Sequence, residues 1–163
     1  MAVALAIKQG LFTLDDDVRK FVPELPDYGT PIKVRHLIHH TSGLRDINTI
    51  IATAGLRDEV AFDNDAVLRV LARQKALNFT PGDEHLYSNS GYAVLALLIE
   101  RASGKPFPDY ADANVFAPLG MKVTHFHTDL GRLVRNRAYA YDRPAGGPVR
   151  INTPQSERAK PAL

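Results

Sequence analysis

The stretch from Phe79 to Gly104, FTPGDEHLYSNSGYAVLALLIERASG, sets a turn, a polar triplet and an apolar helix end to end, and it limits what the flanking segments can do. In Thr80-Pro81-Gly82-Asp83, Pro81 fixes φ for the first central position of a β-turn, and Gly82 can take the positive φ of the second. The chain reverses there. Ser88, Asn89 and Ser90 then offer three side chains able to accept hydrogen bonds from the free N–H groups of a helix start. Tyr92, Leu95, Ala96, Ile99 and Ala102 recur at steps of three and four, Val94, Leu97 and Leu98 widen the stripe, and Gly104 supplies a left-handed stop. Such a helix is buried on most sides. An extended Tyr87-Ser88-Asn89 points residues 87 and 89 the same way, so that a phenol and an amide share one cavity above the helix start. Read locally, the pair is also plain structure, with Tyr87 a hydrophobic staple and Asn89 a cap.

The segments before it are shorter. Met1 to Gly10 reads as the last turns of a buried helix closed by Gly10, with no capping residue ahead of it, so the chain is expected to start inside an element. Leu14 to Pro26 is expected to be irregular, because Pro23 and Pro26 break any helix, with Val18, Phe21 and Val22 as a small apolar anchor. Thr30 as cap and Pro31 as first helical residue predict a helix bearing Val34, Leu37 and Ile38 and ending at Gly43. His36, His39 and His40 ride on it. Their spacing permits chelation, but no carboxylate stands where a HExxH helix needs one, and His40 bonding the Thr41-Ser42-Gly43 turn is the simpler reading.

Arg45 to Phe62 is mixed in charge and carries no clear period. Asn64 or Asp65 caps the next predicted helix, whose stripe is Val67, Leu68, Leu71 and Ala72, while Arg69, Arg73 and Lys75 face water. Pro106 to Asn114 predicts a helix starting near Pro108-Asp109, with Phe107, Tyr110 and Val115 toward the core and Pro118-Leu119-Gly120 ending it. Lys122 to His127 reads as a short strand or extended edge with His125 and His127 on one side. From Arg143 onward Pro, Gly and polar residues predict a mobile tail.

A composition of 45% hydrophobic and 23% charged residues is ordinary for a globular chain, and a net charge of +2 with both signs interspersed excludes a nucleic-acid stripe. No cysteine is present, so there is neither a disulfide framework nor thiolate chemistry. No apolar run approaches the length of a transmembrane helix, and Met1 to Ile7 lacks the basic region and length of a signal peptide. Compartment stays open. No cofactor and no metal are expected.

Tyr87-Ser88-Asn89, with Pro81-Gly82 before it and Gly91-Tyr92 and Ser103-Gly104-Lys105 after it, resembles the Tyr-x-Asn element of the serine β-lactamase and penicillin-binding-protein superfamily, in its class C-like branch. Leu37-Ile38-His39-His40-Thr41-Ser42-Gly43-Leu44 resembles the Leu-x-x-His-Thr-Ser-Gly-Leu phrase of that branch, and Phe116-Ala117-Pro118-Leu119-Gly120-Met121 its Phe-x-Pro-Leu-Gly-Met piece. Arg137 to Asp142 also resembles the family's Ala-x-Gly-Tyr phrase, with Ala140 in place of the glycine. Three elements in order make the resemblance specific.

The resemblance implies an α/β (α+β) fold that sets a mixed sheet beside a helical region, of which this chain supplies mainly the helices and few strands. Residues 1–142 would be a partial domain, truncated at both ends, and 143–163 the tail. In the family the helix before the Leu-Asp-Asp phrase, here Leu14-Asp15-Asp16, begins with Ser-x-x-Lys. That motif is absent: none of Ser42, Ser88, Ser90, Ser103 and Ser156 has Lys at the third following position. Neither Lys-Thr-Gly nor His-x-Gly occurs, and Lys8-Gln9-Gly10 lies at a helix end where the glycine already has a capping role.

Carried over, Tyr87 matches the proton-handling tyrosine, Asn89 the asparagine that orients lysine and substrate amide, and Ser88 the variable, substrate-side position. A lone phenol is a poor base, with only about one in a thousand ionised at pH 7. The expected function is therefore that of part of a serine hydrolase acting through an acyl-enzyme on β-lactams, D-amino-acid peptides or esters, with small molecules or peptides as partners and no nucleic acid. Periplasmic or secreted location is common in the family. A noncatalytic binding protein of the same fold is the alternative, and a histidine-rich metal module is a third reading.

Overall fold

The structure, a computed structural model, describes residues 1–55, 63–128, 132–138, 140–142, 147 and 150–152. Its helices are α1 (Ala2–Lys8), α2 (Val34–Ile38), α3 (Ile47–Thr53), α4 (Asn64–Leu71), α5 (Asn89–Ser103) and α6 (Phe107–Ala111). A π-turn over Asp112–Phe116 continues α6. Two short strands, β1 (Ala140–Asp142) and β2 (Arg150–Asn152), pair antiparallel with Tyr141 opposite Ile151. Among the described residues this is the one ladder, and the architecture is otherwise helical.

The apolar stripe read from the sequence makes α5 the axis of the molecule. Val94, Leu95, Leu97, Leu98 and Ile99 are all buried, and α1, α2, α3, α4 and α6 each lie against this helix. Gly104 ends it at φ 68°, its N–H reaching the Glu100 carbonyl at 2.8 Å. Helix α2 comes close at Gly91, where a Cβ would stand in van der Waals contact, 3.4 Å from the Leu37 carbonyl oxygen. Burial of the Leu and Val side chains on these faces supplies roughly 1.5–3 kcal/mol each, which is what holds helices this short together.

Leu14 to Pro26 is irregular as expected, apart from a single 3-10 turn at Val18–Lys20 capped by Asp17. It lies deeper than an anchor, however. Val18, Val22 and Leu25 are fully enclosed. Arg101 on α5 clamps the segment from outside, donating to Glu24 at 2.6 and 2.7 Å and to the Phe21 carbonyl at 3.0 Å.

Helix α2 starts at Val34, later than Thr30-Pro31 suggested. The reason is a competing pairing: Val18 N–H takes the Ile32 carbonyl, and the N–H groups of Val34 and Arg35 take the carbonyls of Asp16 and Leu14. Residues 32 and 33 are thus held extended against 14–18. Asp63, one residue ahead of the expected caps, accepts from Ala66 N–H at 2.6 Å and opens α4. Helix α6 begins at Phe107, with Pro108 in its first turn. Helix α3, which no period in the sequence announced, is opened by Asp46.

Residues 122–127 form no strand, yet His125 and His127 do share one side, with Nε2 of the first 3.4 Å from Nδ1 of the second. Of the stretch 143–163, β2 and Gly147 are described, and the rest of that expectation lies outside the described residues, as does the end of the Arg45–Phe62 segment. No described helix is long and apolar enough to cross a membrane.

Candidate functional site

Beyond α2 the backbone turns left-handed at His40, with φ 57°, an uncommon conformation for a side chain with a Cβ. From there residues 40–43 run alongside 78–88. The carbonyl of Gly43 accepts from Asn78 N–H at 2.8 Å, that of Thr41 from Gly82 N–H at 2.8 Å, and that of His40 from Leu86 N–H at 2.9 Å. Gly43 allows this approach. At its φ of 72° a Cβ would come within 2.4 Å of the Phe79 carbonyl oxygen. The expected turn at 80–83 is present, closed by Asp83 N–H on the Thr80 carbonyl at 3.0 Å.

This pairing delivers Tyr87, Ser88 and Asn89 to the start of α5. Tyr87 and Asn89 meet on one side, as an extended tripeptide requires, the phenol donating to Asn89 Oδ1 at 3.0 Å. Tyr87 is 60% exposed. Ser88 points the other way: its hydroxyl is buried and has no hydrogen-bond partner among the described residues. Ser90, wholly buried, donates to the Arg45 carbonyl at 2.7 Å.

None of the three side chains of the polar triplet caps α5. The cap comes from elsewhere in the chain: Asp46 Oδ1 accepts the Asn89 backbone N–H at 2.6 Å and the Asn89 side-chain NH2 at 2.8 Å. Its other oxygen accepts Thr49 N–H at 3.1 Å and so opens α3. Sequence reasoning missed Asp46 because its partner is 43 residues away. The one usable signal was an Asp directly ahead of the apolar Ile47-Asn48-Thr49-Ile50-Ile51 run.

His40 also turns out to serve the triplet rather than its own turn. Nδ1 accepts the Ser88 N–H at 3.2 Å, so the proton of the neutral ring sits on Nε2. The imidazole lies between two phenols, 4.6 Å from the Tyr87 ring and 5.2 Å from the Tyr92 ring, the latter stacked at 29°. Tyr92 is anchored by donating to the Ile38 carbonyl at 3.3 Å. One turn back, His36 accepts the Lys33 N–H through Nδ1. Burial, with the charges of Lys33 and Arg35 beside it, holds its imidazole below the usual range.

Tyr92 also lines an apolar groove of about 1200 Å³ bounded by Ala2, Leu95, Ile99, Phe107 and Phe126. Among the described residues no three His, Cys, Asp or Glu side chains are arranged to hold a metal ion. Of the described serines, Ser42, Ser88 and Ser90 are buried. The arrangement can therefore orient a proton donor and acceptor at an exposed surface.

The sequence model of the β-lactamase family matches residues 1–162. A penicillin-binding protein of Bacillus subtilis is 30% identical over 86% of this chain and 31% of its own length. A D-aminopeptidase of Brucella canis is 31% identical over 85% of this chain and 26% of its own length. The chain thus spans less than a third of either relative. The solved structure of an octameric penicillin-binding protein homologue from Pyrococcus abyssi superposes with a TM-score of 0.78 at 25% identity, over 98% of this chain and 37% of that one.

Proposed function

This chain belongs to the β-lactamase family, and we propose that it supplies the Tyr-x-Asn wall of a serine hydrolase that works through an acyl-enzyme on β-lactam, D-amino-acid peptide or ester substrates. The observation that carries the reading is the hydrogen bond from Tyr87 to Asn89 at an exposed surface, on a scaffold built to present it. Relatives named as a penicillin-binding protein and a D-aminopeptidase support the first two of these substrate classes. Tyr87 would pass the proton between nucleophile and leaving group, and Asn89 would orient the substrate amide. Ser88 lies between them with its hydroxyl enclosed, so a contact from it to substrate would have to come from its main chain.

The complete fold in this reading is α/β, its sheet lying against the apolar groove beside Tyr92. The nucleophile comes from outside this sequence, in which no Ser is followed by Lys at the third position. Covalent catalysis needs nucleophile and base together. The 163-residue chain by itself is accordingly a partial hydrolase that does not acylate.

The test has two parts. The first is incubation of the chain with a fluorescent penicillin, followed by intact mass measurement: no adduct is expected, and a stoichiometric mass increase overturns the claim that the nucleophile lies elsewhere. The second is the reading frame upstream of the Met1 codon. A Ser-x-x-Lys encoded there, with acylation of the longer product slowed roughly 10²–10⁴-fold by Tyr87→Phe, supports the hydrolase. A stop codon in its place favours a noncatalytic binding protein, the reading that the missing motif itself suggests.

A further inference from the structure

Asp46 lies outside every motif of the sequence, yet it accepts from the Asn89 backbone N–H and from the NH2 of its side-chain amide. We propose that Asp46 is a positioning residue that locks the Asn89 side chain with its NH2 turned away from Tyr87 and its carbonyl turned toward the phenol. The proposal rests on the hydrolase reading for its catalytic meaning and deepens it by naming what sets the polarity of the Tyr87–Asn89 pair.

The orientation follows from chemistry. A carboxylate offers acceptors only, so the Asn89 atom 2.8 Å from Asp46 Oδ1 must be the nitrogen. The oxygen is then the atom 3.0 Å from the phenol, and Tyr87 must donate to it. With the amide turned over, two oxygens would oppose each other at Asp46, and the NH2 would occupy a lone pair of the phenol. Locked as it is, Asn89 accepts the Tyr87 hydrogen bond and leaves the phenol lone pairs to the open side. That is the side from which an ammonium or hydroxyl would meet the exposed phenol.

A purely structural role for Asp46 is the competing account, since its second oxygen caps α3 through Thr49. Asp46→Ser separates the two. Serine caps a helix about as well as aspartate, but its shorter side chain does not reach Asn89. The readout is the Asn89 side-chain NH2 pair in ¹⁵N–¹H spectra of the full 163-residue chain, where a proton bonded to a carboxylate is shifted downfield. Asp46→Ser is expected to lose that downfield proton while the α3 amides keep their positions. Tyr87→Phe, at an exposed site, is expected to keep it. A downfield proton that survives Asp46→Ser, or one that Tyr87→Phe removes, overturns the proposal. If Asp46→Ser does not fold, Tyr87→Phe still tests the lock, because a downfield proton that disappears with the phenol is not held by Asp46. Neither outcome depends on turnover, so loss of the lock leaves the hydrolase reading standing, and a chain that never acylates can still show the lock.

Discussion

Replacing Gly43 with alanine should cost far more than replacing Gly10, although both sit at φ 72°. Forcing an L side chain into the left-handed region costs about 1–2 kcal/mol, and at Gly10, where a Cβ meets nothing within 4 Å, that is the whole effect. At Gly43 the new methyl would stand 2.4 Å from the Phe79 carbonyl oxygen, against the 3.0 Å below which real Cβ contacts essentially do not occur. Backbone cannot swing aside as a side-chain end does. The 78–79 segment must move out by at least half an ångström, which strains or breaks the 2.8 Å bond from Asn78 N–H to the Gly43 carbonyl. Overpacking of this kind adds about 1–3 kcal/mol, and the weakened hydrogen bond about 1 kcal/mol. Gly43→Ala should thus lose about 3–6 kcal/mol and Gly10→Ala about 1–2 kcal/mol. With a urea m-value near 2 kcal/mol per molar, the two midpoints, followed by circular dichroism at 222 nm, should differ by roughly 1–2 M. Midpoints that agree within about 0.2 M would refute the steric reasoning.

The buried axis of α5 should be equally unforgiving: Leu98→Ala, at a fully enclosed position, is expected to cost about 3–5 kcal/mol by urea titration, and a loss under 1 kcal/mol would mean the core is not packed as described. His36 predicts a pH dependence. Its folded-state pKa lies below the unfolded value near 6.5, so between the two the unfolded chain binds more protons and stability rises with pH. The contribution is complete above about pH 6.5 and is lost as pH falls through that window. His36→Gln, which can still accept the Lys33 N–H, should flatten the slope of urea midpoint against pH between 5 and 7, and an unchanged slope would assign the effect elsewhere. Glu24→Gln removes the charge from the clamp on Arg101, and because the pair is largely exposed the loss should be about 0.5–1 kcal/mol in low salt and smaller in 0.5 M NaCl. A loss independent of salt would argue against an ionic origin.

What the sequence disclosed and what it hid divide along sequence separation. The body of α5, its glycine stop, the 80–83 turn and the meeting of residues 87 and 89 all depend on neighbours within a few positions, and all could be read from period and turn chemistry. The start of α2 was misplaced because the carbonyls that hold Val34 and Arg35 belong to residues 14–16. The cap of α5 was misassigned for the same reason: Ser88, Asn89 and Ser90 have the right side chains, but those chains are buried or engaged elsewhere, and a carboxylate from the 40–46 segment arrives first. The sequence assigns His40 to its own 41–43 turn, whereas the ring accepts from Ser88 across the pairing, a partner that spacing does not disclose.

A helix normally secures its own first turn, whereas α5 borrows the acceptor for its leading N–H from 43 residues upstream. The two ends of this helix therefore report on different events in hydrogen exchange. Amides in its middle open with the core, while the Asn89 amide opens when the 40–46 segment lifts away. During refolding the same amide can gain protection only after that loop has closed, so it times the assembly of the Tyr87 surface rather than the winding of the helix beneath it.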